Sequence, residues 1–318
     1  MGSRRVLAVV NKAAGGPTDE LVGALQAVDG LDLEVAWTAG QGDGTRLTAA
    51  ALAGPDRPDV VVAIGGDGTS GEVARGLLGA PLAPPLLIAP GGTGNSNFRS
   101  LWDDLPWPEV VRAVLVDGDY LVRPLDLMHL VELDSPTMLG VSTGLIPEGL
   151  VLAKTLPLSG RERLMTAALQ VLGSYQPYPG RVLVDGEVMI EANTYLTLVG
   201  GVRYRAGLLR LLPDSMLDDG LLDVLVVDES VSVEAFGTAA LGGGDVGEVD
   251  GVHLARGARV RVERTDGQPL KLEHDGELET GSHSGYEVYA MPGAISVVLP
   301  NPAPNCFAPL DQSHAADS

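Results

Sequence analysis

Val60-Val-Val-Ala-Ile-Gly-Gly-Asp-Gly-Thr69 is the stretch from which the rest of the chain can be read. Its apolar run, 60–64, is bounded by Pro58-Asp59 and Gly65. That pattern predicts a strand buried on both faces of a parallel sheet. Three glycines, Gly65, Gly66 and Gly68, then surround one carboxylate, Asp67. Residues 70–78 carry Val73, Ala74, Leu77 and Leu78 at helical spacing, which predicts a helix. Glu72 falls in its expected first turn, where the helix dipole favours negative charge. Strand, glycine loop and helix N-terminus together hold phosphate, because the backbone can approach closely and its N–H groups point at the anion. Asp67 asks for more than anion binding. A carboxylate beside phosphate suggests a Mg²⁺ ion between them, or a base near the transferred group. The plainer alternative is a tight turn with Asp67 as a helix cap.

Outward from this stretch, strand and helix alternate. Residues 6–10 read as a strand, 11–16 as a polar loop, 18–28 as a helix and 31–37 as an alternating strand. A short helix over 45–52 precedes the central strand; a buried strand over 86–89 and a helix over 107–116 follow it. This alternation predicts a doubly wound parallel sheet, with ligands at the carboxyl ends of its strands. The loops after Val10, Ile64 and Ala89 all fall on that edge. The last of them, Pro90-Gly-Gly-Thr-Gly-Asn95, offers the Thr93 hydroxyl to a phosphate and the Asn95 amide to the loop or the ligand. Its spacing of roughly 25 residues from the first glycine loop suits one more βαβ step.

Near 122–125 the character changes. Strand-like segments follow at 127–133, 137–142, 181–184, 195–199, 222–227, 260–264, 270–274 and 295–299, with one helix over 162–172. Asp185-Gly186, Asp219-Gly220, Asp266-Gly267, Asp275-Gly276 and Pro292-Gly293 are the turn signals between them. The expected organisation is an α/β N-terminal nucleotide-binding domain, 1–124, a β-sandwich-like second domain, 125–300, and a polar, Pro-rich tail, 301–318.

The 318 residues are 45% hydrophobic, which describes a globular chain. Lys and Arg number 21 against 42 Asp and Glu, a net charge of −21. Such a surface argues against general nucleic-acid binding and against broad adhesion to anionic membranes. One cysteine, Cys306, excludes an internal disulfide and a thiolate metal cluster. The apolar run 6–10 is too short for a signal peptide, and no uninterrupted run reaches the ~18 residues of a membrane span. His274 and His283 have no metal spacing.

The two glycine loops together resemble the catalytic domain of the diacylglycerol kinase and sphingosine kinase family, including its soluble bacterial lipid kinases. Three more segments agree, in the same order: Asn11-Lys-Ala-Ala-Gly15, Leu211-Leu-Pro-Asp-Ser-Met-Leu-Asp-Asp-Gly-Leu-Leu-Asp-Val224 and Leu272-Glu-His-Asp-Gly-Glu277. The resemblance covers nearly the whole chain and implies a cleft between two domains, ATP as donor and a lipid hydroxyl as acceptor. By position it implies that Asn11, Lys12, Ala13, Ala14, Gly15, Thr38, Gly66, Asp67, Gly68, Thr69, Ser70, Gly71, Glu72 and Thr93 line the nucleotide. Glu277 is implied as proton acceptor, and Asp126 as part of the catalytic network. Asp219, with the carbonyls of Met216 and Leu221, is implied to hold a structural Mg²⁺. Glu148 stands where sphingosine kinases contact the lipid head.

The chain departs from the pattern at Gly71, where the family usually has Asn, at Ser96, where it has Asp, and at Lys12, where it has Pro. Read from the residues alone, Asp275-Gly276-Glu277 is a hairpin turn with a solvated Glu, as Asp185-Gly186-Glu187 also is. The rival readings are an NAD-kinase-like enzyme and a nucleotide- or lipid-binding module without catalysis. The expected setting is cytoplasmic, peripheral at the inner membrane face, with no transmembrane segment and a homodimer left open. An apolar lip near Leu208, Leu209, Leu211 and Leu212 is one candidate for the lipid-facing surface, and core is the other reading of those leucines.

Overall fold

The structure, a computed structural model, describes residues 4–279, 281 and 283–309. Residues 310–318 of the expected tail lie outside that range. The first half runs β1 (Arg5–Val10), α1 (Thr18–Gln26), β2 (Asp32–Trp37), α2 (Asp43–Ala53), β3 (Val60–Gly65), α3 (Asp67–Leu77), β4 (Leu86–Pro90), α4 (Ser96–Trp102) and α5 (Trp107–Val111). The second half runs β5 (Tyr120–Leu130), β6 (Ser135–Thr137), β7 (Gly140–Gly144), α6 (Leu145–Ala153), α7 (Gly160–Leu172), β8 (Tyr178–Val184), β9 (Glu187–Gly200), β10 (Tyr204–Arg205) and β11 (Leu209–Arg210). It closes with β12 (Leu222–Asp228), α8 (Val233–Thr238), β13 (Val252–Gly257), β14 (Arg259–Arg264), β15 (Leu272–His274), β16 (Glu277–Glu279) and β17 (Gly285–Pro300).

Strands β2, β1, β3 and β4 pair in parallel in that order. β3 is buried along its whole length, as its unbroken apolar run predicts. β2 ends the sheet, and its alternating residues are correspondingly only half covered. Helices α1 with α5 and α2 with α3 form two packed pairs. The second half is antiparallel, in the order β16-β15-β7-β9-β8-β14-β17. It has two apolar clusters of its own, one around Tyr286 and Val260, the other around Leu198 and Leu225.

β17 joins the halves. It pairs antiparallel with β14 and β5, then touches β4 in parallel at Val297 and Leu86. Pro292-Gly293, expected as a turn between strands, is instead a register shift inside this long strand. A bulge absorbs the extra residues without breaking the pairing. Cys306 and Phe307 return to bury in the core of the first half.

Seven elements have no counterpart among the expected segments: α4, α6, β10, β11, α8, β13 and β16. α6 has Pro147 and Gly149, which read as breakers, yet Pro in a first turn forfeits only an N–H that has no helical partner. α4 begins inside the second glycine loop, and β13 carries too little periodicity to stand out. The central helix also starts earlier than expected, at Asp67 and not at 70. The Gly-Asp-Gly-Thr run is therefore its first turn, not a loop ahead of it. Glu72 accordingly lies in the second turn.

Candidate active site

The carboxyl ends of β1, β2, β3 and β4 bring their loops together. Gly16 N–H donates to Gly91 O at 3.1 Å, and Asn11 N–H to Ile64 O at 2.9 Å. A Cβ on Gly92 would stand 2.3 Å from Gly66 Cα, so the two glycine loops touch backbone to backbone only because both lack side chains there. Asn95 takes the loop-fixing role. Its Oδ1 accepts from Gly92 N–H at 2.7 Å while its Nδ2 donates to Pro90 O and Gly92 O. Asn11 Nδ2 donates to Thr69 Oγ1 at 3.2 Å, tying the first loop to the first turn of α3.

A cleft of about 670 Å³ opens over these loops. One wall is Asn11, Ala13, Ala14, Thr38, Gly66, Gly68, Thr69 and Glu72, eight of the residues expected at the nucleotide. The other wall comes from the second half: Lys154, His274, Gly276, Glu277, Leu278 and Glu279. Glu277, expected from more than two hundred residues downstream, thus faces the glycine loops. Gln41 Nε2 donates to its Oε2 at 2.7 Å.

The remaining expected residues stand behind or beside this wall. Lys12 reaches Asp19 at 3.5 Å and lies over the Trp37 ring. Thr93 Oγ1 stands next to Gly15. Ser70 is buried, its hydroxyl donating to Asp67 O and accepting from Asn97 Nδ2. Glu148 is paired with Lys271 at 2.7 Å.

Asp67 turns its carboxylate toward the second loop, where Asn97 N–H donates to Oδ1 at 2.9 Å and Ser96 N–H to Oδ2 at 3.1 Å. It therefore caps α4, the helix that follows that loop, and binds the two phosphate-type loops to each other. Burial pushes its pKa up, against the pull of those two N–H groups and of the buried Arg205 guanidinium. Glu72 is likewise committed. Its two oxygens accept from Gly42 N–H at 2.7 Å and Gly44 N–H at 2.8 Å, which caps α2.

Sequence reasoning missed the Ala39-Gly40-Gln41 wall, although the strand-edge rule that selected the other loops applies equally after Trp37. It also missed Arg75 and Asp275. Asp275 is fully buried at the β15–β16 turn, with φ +48° there and +82° at Gly276. Its carboxylate accepts from Leu139 N–H at 2.7 Å, Met138 N–H at 3.0 Å and Arg75 Nη1 at 3.1 Å. Burial nonetheless raises its pKa to about 6, outweighing Arg75 and the two N–H groups. A carboxyl whose folded pKa lies above its unfolded value contributes stability that is fully present below the unfolded value. That contribution is lost as pH rises through the folded one. The stability of the wild type relative to Asp275→Asn is therefore expected to fall between about pH 4 and pH 6, by on the order of 2–3 kcal/mol. Paired urea titrations across that range measure it, and a difference independent of pH would contradict it.

The residues implied for a structural metal gather elsewhere. Beside them lies Asp126, implied as part of the catalytic network, which accepts from Gly220 N–H at 2.6 Å and Gly293 N–H at 2.7 Å, outside the cleft wall. Burial raises its pKa, and Asp219 and Asp218 add to the rise. Asp219 gives one oxygen to Leu221 N–H and the other to Arg256, whose Nε also donates to Asp223 at 2.9 Å. A guanidinium thus already supplies the charge, and among the described residues no group of three acidic or metal-ligating side chains is assembled. In this structure Arg256 holds the Asp219 oxygen that the implied ion would take. The leucines offered as a lip are also corrected: Leu211 and Leu212 are buried in the second half's core, and Leu209 packs against it.

Comparison with known proteins agrees with this architecture. Residues 5–129 match the family model described as the diacylglycerol kinase catalytic domain. Residues 142–299 match the YegS C-terminal NAD kinase beta sandwich-like domain. A "Probable lipid kinase YegS-like" of Xanthomonas oryzae pv. oryzae (strain MAFF 311018) is 31% identical over 304 residues, covering 90% of this chain and 92% of that protein. A protein of the same description from Pseudomonas aeruginosa is 31% identical over 310 residues, 96% of this chain and 97% of its own. The "Diacylglycerol kinase" of Bacillus subtilis is 27% identical over 232 residues, 69% of this chain and 71% of its own. Among solved structures, a diacylglycerol kinase from Bacillus anthracis str. Sterne is similar in fold, with a TM-score of 0.69 and 22% identity over 93% of this chain and 97% of that one.

Proposed function

The chain belongs to the diacylglycerol kinase catalytic-domain family with a YegS-type second domain, and from that premise we propose that it transfers the γ-phosphoryl group of ATP to the hydroxyl of a lipid alcohol, such as diacylglycerol or a sphingoid base. The observation that carries the reading is one cleft bounded by Gly66, Gly68 and Thr69 on one side and by Glu277 on the other. Phosphoryl transfer needs positioning and charge neutralisation more than covalent chemistry. The N–H groups of Asp67 and Gly68, ahead of the first one that bonds within the turn (Thr69 N–H to Gly66 O at 3.0 Å), would cradle phosphate oxygens. Glu277 would accept the proton of the attacking hydroxyl. A Mg²⁺ ion arriving with ATP would neutralise charge on the transferring group. Because Asp67 and Glu72 spend their oxygens on backbone N–H groups, Glu277 and Glu279 are the cleft carboxylates left to meet it.

No helix among the described residues is long and apolar enough to cross a membrane. We place the enzyme in the cytoplasm, meeting its lipid peripherally at the inner membrane face. The test is ATP consumption across a panel of lipid alcohols in mixed micelles, with NAD as a competing acceptor. Turnover with at least one lipid alcohol and none with NAD is expected; turnover with NAD alone would overturn the proposal.

Because Arg256 occupies Asp219, the melting temperature is expected to be independent of Mg²⁺ at millimolar concentration. Asp219→Ala should lower stability by about 1 kcal/mol, the scale of a partly exposed ion pair. A Mg²⁺-dependent rise in melting temperature that disappears in Asp219→Ala would restore the metal site.

A further inference from the structure

We infer that Asp275 is a positioning residue for Glu277, seated against a face of α3 that Gly71 leaves open; the inference rests on the reading of Glu277 as proton acceptor. Residues 68, 71 and 75 are spaced to share one face of α3. A Cβ on Gly71 would stand 2.4 Å from Asp275 Oδ2, and one on Gly68 would stand 3.2 Å from Asp275 O. Any side chain at 71 would therefore displace the carboxylate.

Turn chemistry does not require this burial. Asp185 and Gly186 have the same pair of positive φ angles, +50° and +89°. Yet the Asp185 carboxylate sits at the exposed surface, accepting from Arg259 N–H at 2.9 Å. Stability does not require it either, because a buried ion pair seldom repays its desolvation. What the burial provides is an anchor. β16 is a three-residue strand at the end of its sheet, with β15 as its neighbouring strand. Besides the pairing of His274 with Glu277, the Gln41 contact at 2.7 Å is what else holds Glu277. Arg75 completes the arrangement. Its Nη1 meets Asp275 Oδ2 at 3.1 Å and also donates to Pro136 O at 3.2 Å, while its Nη2 stands 3.9 Å from Glu277 Oε1. One guanidinium thus lies between the two carboxylates of the turn and ties both to the helix that begins at the phosphate-type loop.

The test is a double-mutant cycle in kcat on the full chain, with ATP affinity and melting followed in parallel. Asp275→Asn alone is expected to lower kcat about 10- to 100-fold and leave the ATP Kd within about threefold, since a small misplacement of a reacting group is costly. In a Glu277→Gln background the same substitution is expected to change kcat less than about threefold, because an effect exerted through Glu277 vanishes once Glu277 cannot act. Gly71→Ala should reproduce the loss seen in Asp275→Asn. If Asp275→Asn fails to fold, Arg75→Lys carries the same cycle, with a loss of about 3- to 10-fold that is absent in the Glu277→Gln background. Equal losses in both backgrounds, with Glu277→Gln itself slow, overturn this inference alone. A Glu277→Gln enzyme with wild-type turnover overturns it together with the reading of Glu277 as base.

Discussion

Glu277→Gln is expected to lower kcat by about 10²–10⁴-fold, the usual contribution of general-base catalysis. Glutamine keeps the size and one hydrogen-bonding oxygen, so the contact from Gln41 can persist. It cannot take up the hydroxyl proton. The nucleotide contacts come from the opposite wall, so the ATP dissociation constant should change little. Glu187 is the internal control. It ends the same Asp-Gly-Glu tripeptide in the same kind of hairpin, but it is exposed on a strand that does not reach the cleft. Turnover and ATP affinity measured for wild type, Glu277→Gln and Glu187→Gln decide the matter. Equal small losses in both variants would make Glu277 an ordinary hairpin residue.

Asp67→Asn is expected to damage stability and rate together. The carboxylate accepts two backbone N–H groups in a half-buried position. An amide can present only one oxygen to them and places an NH₂ against the other N–H. Bonds to a charged group are worth about 1.5–3 kcal/mol each, so a loss on the order of 2–4 kcal/mol in urea unfolding is expected. The second glycine loop would lose its tie to the first, and a misplacement of about 1 Å can cost about 10²-fold in rate. Turnover is to be normalised to the folded fraction. An unchanged unfolding midpoint with unchanged turnover would remove Asp67 from both roles.

Much of the fold follows from local pattern. The unbroken apolar run of β3, the alternation in β2 and the helical spacing of α1 each state their burial directly, because periodicity records how many faces of an element are covered. The glycine loops and their place at the strand ends follow from the same logic, whereas Glu277 reads locally as a hairpin residue and is singled out only by the resemblance and the order of its motifs. Local sequence could not say which carboxylates are free to act. Asp67 and Glu72 look like cleft residues along the chain, yet each spends its oxygens on N–H groups of a different helix, from 28 to 30 residues away. Asp275 looks like a solvated turn, yet it is buried because Gly71, on another element, leaves the space and Arg75 the charge. Asp185 has the same local sequence and the same backbone angles with the opposite fate. Turn type is fixed by two or three neighbouring residues, so the sequence by itself determines it. Burial and hydrogen-bond partners depend on what the rest of the chain brings alongside, and only the packing of the two halves decides them.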